Sequence, residues 1–341
     1  MPSVVTGLDL PVIAAPMAGG PGSTALVIAA ARAGSLGFLA AGYKTPQALA
    51  EEIAAVNAAG VPFGVNLFSP NPVPVDPVAF RRYAELLGPE AARYGLSLDG
   101  VAPVEDDDRW HDKLDVLRAH PVPVVSFTFG LPGRDDLALL RRTGALLAAT
   151  VTSPAEAEAA RQAGLDALVV QAAAAGGHSG TFTPAKALTE VPVGELIASV
   201  RSSVDLPVIA AGGVATADAV AAMIGAGAVA VAVGTALLRS DEAGTSAVHR
   251  AALADPARTG TVLTRAFTGR PARGLRNEFT DRYSRLAPSG YPALHYLTSG
   301  IRKAAAAAGD PERVHLWAGT GFRQATAEPA AAILSRLAGQ L

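Results

Sequence analysis

PVIAAGGVATADAVAAMIGAGAVAVAVGT, Pro207 to Thr235, is the stretch whose reading decides the fold. It opens on a short, continuously apolar run and breaks at Gly212-Gly213. A helical stretch follows, then a turn at Gly225 and Gly227, then a second apolar run closed by Gly234-Thr235. Strands buried on both faces read as unbroken apolar runs, because no face meets water; half-exposed strands alternate instead. The stretch is therefore a strand, a helix and a second, parallel strand. Ala219 to Leu238 carries no charge and has the length of a membrane span, about 20 residues. It is mostly Ala, Gly and Val, and two glycines interrupt it, so the soluble helix–turn–strand reading holds.

Working outward, the same pattern recurs. Apolar runs start at Val12, Leu36, Pro62, Pro123, Leu146 and Ala167, and with the two above they make eight. Helical segments separate most of them: Ser23 to Ala33, Pro46 to Ala58, Arg134 to Arg142, Pro154 to Ala163 and Ala215 to Ile224. Eight β–α units within 240 residues predict an α/β fold of the TIM (β/α)8 barrel type. A doubly wound sheet is the alternative, since strand runs do not reveal how strands are ordered. Two segments depart from the alternation. Residues 69–120 form an insertion after the third strand, opening on the Pro-rich SPNPVPVDP. Residues 241–341 form an Ala-rich, mainly helical extension that contains a basic turn, FTGRPARGLRNEF from Phe267. The expected division is a ligand-binding barrel over 1–240 and a C-terminal extension over 241–341. Insertion and extension are expected to cap the barrel mouth, neither with a core of its own.

Composition narrows the chemistry. Of 341 residues, 50% are hydrophobic and 17% charged, enough for a large core and too apolar for disorder. The formal net charge of -2 offers no basic excess to hold nucleic acid or an anionic membrane. With no cysteine there is no disulfide, thiolate nucleophile, Cys-ligated zinc or iron–sulfur cluster. Redox chemistry would have to come from an organic cofactor or a metal without sulfur ligands. The N-terminal MPSVVTGLDLPVIAAPM lacks the basic region and long apolar core of a secretory signal, which suggests a cytoplasmic protein.

Barrels of this type place their sites at the C-terminal strand ends. The seventh and eighth strands end in Gly212-Gly213 and Gly234-Thr235, where glycine N–H groups and a helix N-terminus suit a phosphate. Asn66 and Gln171 are carboxamides at the ends of the third and sixth strands. Each suits the edge of a heterocycle, or a bond to neighbouring backbone. Two carboxamides opposite a phosphate site describe a pocket for a flat ring with a phosphate tail, a description FMN meets. His178 lies in AGGHSG among Gly176, Gly177 and Gly180, where an imidazole gains no packing but can exchange a proton near neutral pH. The alternative is a loop histidine bonded to a carbonyl. His295 is a weaker candidate over the site, and His111, His120, His249 and His315 are weaker still. Glu105 to Asp108 reads as a solvated helix start, with no metal site. Arg270, Arg273 and Arg276 suit an anionic substrate, a partner subunit or surface ion pairs.

PVIAAPMAGG, GFLAAGY with Tyr43, FGVNLF, SFTFGLP, QAAAAGGHSGTF, PVIAAGGVAT, VGTALL, GRPARGLRN and LWAGTG occur in an order that resembles the nitronate monooxygenases, formerly 2-nitropropane dioxygenases. The resemblance spans nearly the whole chain. It implies a TIM barrel with non-covalent FMN, and Pro16, Met17, Ala18 and Gly19 along the isoalloxazine. Asn66 and Gln171 would bond the flavin, and Gly176, Gly212, Gly213, Val233, Gly234 and Thr235 would hold the phosphate end. His178 would be the active-site histidine, with Tyr43, Ser179 and His295 near the substrate. Its implied activity is oxidation of alkyl nitronates, or of nitroalkanes, by O2 to carbonyl compounds and nitrite. Ala172 and Ala174 stand where many relatives carry a glycine and an acidic residue, which bears on substrate range. Two rival functions share these motifs: an FMN-dependent enoyl-ACP reductase using NAD(P)H, and a barrel that binds a phosphorylated ligand without turnover. Partners are small molecules; a homo-oligomer is left open.

Overall fold

The computed structural model describes residues 4–71 and 74–341; Pro72 and Val73, in the Pro-rich opening of the insertion, lie outside the described residues. Every apolar run picked out above becomes a strand: β1 (Val12–Ala14), β2 (Gly37–Ala40), β3 (Phe63–Phe68), β4 (Val124–Thr128), β5 (Leu146–Val151) and β6 (Ala167–Gln171). A two-residue strand, β7 (Gly177–His178), lies in the following loop, and β8 (Val208–Ala211) and β9 (Ala230–Val233) complete the set. The strands pair in parallel in the order β1-β2-β3-β4-β5-β6-β8-β9. β9 returns to β1 through Val12↔Val231, Ile13↔Ala232 and Ala14↔Val233, so the barrel closes. This is the (β/α)8 barrel, and closure excludes the doubly wound sheet.

The surrounding helices begin where their sequences dictate. Ser23, Thr45, Ser153 and Thr216 each accept a bond from the backbone N–H three residues on, opening α1 (Thr24–Arg32), α2 (Pro46–Ala58), α6 (Pro154–Gln162) and α8 (Ala217–Gly225). Pro46 and Pro154 sit in the first turn, where no N–H is needed. In the insertion lie α3 (Pro77–Ala92) and α4 (Trp110–Ala119), and α5 (Arg134–Arg141) follows β4. One helix was not expected: α7 (Val193–Arg201) buries Leu196, Ile197 and Val200. No helix among the described residues is long and apolar enough to cross a membrane.

After β9 the chain forms α9 (Ala247–Ala254), the strands β10 (Thr261–Thr264) and β11 (Ala272–Leu275), α10 (Glu278–Tyr283), α11 (Ala293–Ala307) and α12 (Ala330–Ala338). Two features differ from the reading as a helical extension with a basic turn. First, the GRPARGLRN segment contains strand β11, not only a turn. It pairs antiparallel with β10 on one side and with β7 on the other. Second, α12 packs against α1, α8 and β1, and its Ile333, Leu334 and Leu337 join the apolar core between barrel and helices. The last helix therefore belongs to the barrel wall.

The insertion and the middle of the extension share one core. Phe80, Tyr83 and Leu87 of α3 pack with Phe267, Phe279, Tyr283, Leu294, Leu297 and Ile301. Glu90, 2% exposed, stands at the edge of this core. It accepts bonds from Arg313 Nε at 3.0 Å, Arg282 Nη1 at 2.7 Å and the Tyr283 hydroxyl at 3.1 Å. A buried carboxylate with such partners is costly to remove, because Arg313 loses its one buried counter-ion and keeps only the more exposed Glu278 and Asp310. Glu90→Ala is expected to lower unfolding free energy by about 3 kcal/mol in urea titration. A loss under about 1 kcal/mol, the size of a surface ion pair, would show that Glu90 does not tie the two segments together.

Candidate active site

A cavity of about 840 Å³ opens at the C-terminal ends of the barrel strands and runs up between insertion and extension. It is lined by Pro16, Met17, Ala18 and Gly19 after β1, by Tyr43, Asn66, Gln171, Gly176 and His178, and by Gly212, Gly213, Val233, Gly234 and Thr235. His295 reaches it from α11. Of the residues that the family resemblance assigns, all converge here except Ser179. That residue is buried behind the loop; its hydroxyl accepts from the Thr181 N–H and its carbonyl from Arg270.

At one end the wall is backbone. Gly212 and Gly213 have φ of +106° and +77°, values side-chain-bearing residues rarely adopt. A Cβ at Gly176 would lie 2.6 Å from the Gly319 nitrogen, and one at Gly212 would lie 2.8 Å from the Ala172 carbonyl oxygen. Thr235 Oγ1 accepts a bond from that Gly319 N–H at 2.9 Å, joining the extension to the β9 end. Stacked glycine turns beside a helix N-terminus, here that of α8, have the geometry that suits an anionic group. LWAGTG thus serves by its glycines, as the close approach requires.

The floor is a polar belt. Asn66 is 3% exposed; its Oδ1 accepts from Ser126 Oγ at 2.9 Å and Thr128 Oγ1 at 3.0 Å. With its oxygen doubly bonded, the amide is oriented, and Nδ2 has no partner among the described residues. It is a free donor on the wall of the cavity, as the edge of a heterocycle requires. Gln171 differs. Its Oε1 accepts from the Gly180 N–H at 2.7 Å and its Nε2 donates to the His178 carbonyl at 3.2 Å. Its amide braces the histidine loop, the backbone alternative weighed for it.

His178 stands over this floor because β7 pairs with β11, Ala272 opposite His178 and Arg273 opposite Gly177. Its ring is walled by Trp317 at 5.4 Å and by Phe129 and Tyr291, each at 5.7 Å. Nε2 lies 2.9 Å from the Thr268 hydroxyl. Burial, then the charges of Arg270 and Arg302, push its pKa down to about 3, so the imidazole is neutral at ordinary pH.

Those two arginines are the strongest electrostatic feature. Arg270 is fully buried, stacked 3.8 Å over the Phe129 ring, and bonded to the carbonyls of Ser179 and Thr181. Arg302 is 6% exposed and touches the cavity. It donates to Thr298 Oγ1 at 3.0 Å and the His295 carbonyl at 2.7 Å, with the ring of His315 3.4 Å away. Neither pairs with a carboxylate among the described residues. Burial pushes their pKa values down to about 9 and about 10, still charged at neutral pH. Two buried positive charges without counter-ions favour an anion in the cavity. Arg270 was a weak candidate and Arg302 was missed; only GRPARG marked the former. Arg273 instead pairs with Glu190, and Arg276, exposed, with Asp281.

The rim was misread in one respect. Tyr43, at φ +67°, stacks flat on His295 at 4.2 Å, and its hydroxyl accepts from that of Tyr291 at 3.1 Å. The acidic run, taken for a solvated helix start, clasps this rim. Asp108 accepts the Tyr43 N–H at 3.0 Å and pairs with Lys113 at 2.7 Å, Asp106 bonds Tyr296, and Glu105 bonds the Val75 N–H. No group of three or more metal-ligating side chains occurs among the described residues. His249 and His315 also line the cavity, whereas His111 and His120 lie exposed at the ends of α4.

With this geometry in place, relatives can be compared. The family model for nitronate monooxygenase matches residues 4–338. The chain belongs to the nitronate monooxygenase family. A probable nitronate monooxygenase of Staphylococcus aureus is 36% identical over 338 residues, covering 98% of this chain and 95% of that one. The solved nitroalkane oxidase of Streptomyces ansochromogenes is 45% identical with a TM-score of 0.92, covering 98% and 96%. FabK from Thermotoga maritima is more distant, 25% identical with a TM-score of 0.75 over 98% and 94%. Membership makes the protein an oxidoreductase and implies a flavin, a small-molecule substrate and O2.

The buried histidines carry a pH signature. His178 and His249 sit at about 3 and about 4 rather than 6.5, chiefly through burial, and His295 and His315 are also lowered by burial. The unfolded chain takes up protons near pH 6.5 that the folded chain refuses, so their contribution is full above that pH and lost as pH falls toward 4. The urea midpoint is expected to fall between pH 7 and pH 5, with a shallower slope in His249→Asn. Equal midpoints at both pH values would contradict neutral burial.

Proposed function

We propose that the protein binds FMN and oxidises alkyl nitronates with O2 to carbonyl compounds and nitrite. The observation that carries this reading is the pairing of two ends in one cavity. One is a glycine cradle suited to a phosphate monoester; the other is a neutral imidazole beside two buried cations that lack counter-ions. A nitronate is an anion whose charge lies on the nitro oxygens, and it meets an attractive field there. The names borne by the Staphylococcus and Streptomyces relatives support the same substrate class.

In this reading Gly176, Gly212, Gly213, Val233, Gly234 and Thr235 hold the FMN phosphate. Pro16, Met17, Ala18 and Gly19 lie along the ring system, and Asn66 Nδ2 donates to its edge. Gln171 acts at one remove, through the loop it braces. The bound flavin supplies the electron acceptor that connects substrate to O2. His178 contacts the nitro group. Phe129, Tyr291 and Trp317 exclude water around it, which strengthens the field of Arg270 and Arg302. Tyr43 and His295, locked as a stacked pair, shape the entrance. In domain terms, residues 1–240 with α12 form the cofactor barrel, and 69–120 with the rest of the extension form its cap.

Under anaerobic conditions, propionate 3-nitronate is expected to bleach the flavin absorption, whereas NADH and NADPH leave it unchanged. Bleaching by a pyridine nucleotide alone would move the protein to the reductase function. A preparation that binds no FMN would point to a phosphoryl-ligand-binding barrel. His178→Asn is expected to keep bound flavin and lose on the order of a hundredfold in turnover. Unchanged turnover would leave His178 with a structural role only.

A further inference from the structure

The Thr268 hydroxyl is the sole hydrogen-bonding partner of the His178 ring among the described residues, and its surroundings constrain its proton. Thr268 is 1% exposed, so water does not compete for it. Three groups meet Oγ1. The Arg270 backbone N–H, at 3.4 Å, can only donate; the Arg270 carbonyl, at 3.3 Å, can only accept. The third is His178 Nε2, at 2.9 Å. The hydroxyl has one proton. If it goes to the carbonyl, Oγ1 accepts from Nε2–H and every group is satisfied. If it goes to Nε2, the buried Arg270 carbonyl loses this donor, at the cost of an unmade buried bond. Nδ1 has no partner among the described residues, and the ring lines the cavity.

We propose that Thr268 is a positioning residue that holds His178 as the Nε2–H tautomer, leaving the Nδ1 lone pair free as proton acceptor toward the cavity. This rests on the oxidation proposed above. A preformed nitronate needs no base; a neutral nitroalkane does. Nδ1 takes the α-proton, the C–H electron pair becomes the C=N bond of the nitronate, and the negative charge passes to the nitro oxygens. Nothing is oxidised in this step. The imidazolium and nitronate formed neutralise one another, and the anion lies in the field of Arg270 and Arg302. With the opposite tautomer, Nδ1–H would hold a nitronate as donor but have no lone pair for the α-proton.

The tautomer is read directly from the purified protein labelled with ¹⁵N-histidine, by two-bond ¹⁵N–¹H correlation. The His178 signals are identified by their loss in His178→Asn. The expected pattern is a protonated Nε2 and an unprotonated Nδ1. Thr268→Val, equal in shape but without the hydroxyl, is expected to release this pattern, and Thr268→Ser to keep it. In turnover, the ratio of nitroethane to ethyl nitronate oxidation is expected to fall about tenfold or more in Thr268→Val, a part of the roughly 100- to 10,000-fold that acid–base catalysis contributes, and to recover in Thr268→Ser. A protonated Nδ1 in the unaltered protein would overturn the proposal. So would a Thr268→Val variant that loses both substrates in equal proportion. Should neither substrate be oxidised at all, the functional reading fails, yet the tautomer still decides the role of Thr268.

Discussion

Two residue pairs between β7 and β11, Ala272 with His178 and Arg273 with Gly177, join the cap to the barrel at the loop that carries His178. Without that pairing, a glycine-rich loop would have no reason to hold one conformation. It is reinforced on both sides. From below, Gln171 bonds the backbone of His178 and Gly180; from above, Arg270 bonds Ser179 and Thr181, and the Ser179 N–H reaches Pro271. The loop thus has the rigidity of an element, with Ser179, Gly180 and Thr181 buried. A group set on rigid supports holds its reactive atom where chemistry needs it, at no entropy cost during reaction.

The same arrangement explains why Arg270 and Arg302 persist without counter-ions. Burying a guanidinium is costly, and an acidic partner would relieve that cost. An acidic partner would also cancel the field. Carbonyl oxygens and aromatic faces solvate the two cations instead, leaving net positive charge for an anionic ligand. The acidic side chains that do approach the cavity, Asp106 and Asp108, are engaged at the rim with Tyr296, Tyr43 and Lys113. Field and latch are kept apart in space, so closing the rim does not neutralise the centre.

Much of this was legible in the primary structure, for identifiable reasons. A buried parallel strand has no polar face, so all eight barrel strands announced themselves as apolar runs. Glycines at strand ends marked one wall of the cavity because only glycine permits those φ values and close approaches. His178 was conspicuous as an imidazole in a turn where it gains no packing. What was not legible depends on contacts distant in sequence. Arg302, within an amphipathic helix, looks like any surface arginine; only the packing of α11 over the cavity buries it. Thr268 matters through a residue 90 positions away. Strand β11 was hard to see because one of its two partners, β7, is two residues long and needs the barrel to present it. The acidic run read as solvated because its partners, Tyr43 and Tyr296, lie far along the chain.

The central claim is that the cap pins the histidine loop, and backbone amide hydrogen exchange across residues 176–181 tests it most directly. In the unaltered protein these amides are expected to exchange as slowly as those at the barrel strand ends. In Arg270→Ala they should exchange as an open loop does, while β3, β4 and β5 keep their protection. Equal protection of residues 176–181 in both proteins would contradict the account, since the loop would then hold His178 in place without the cap.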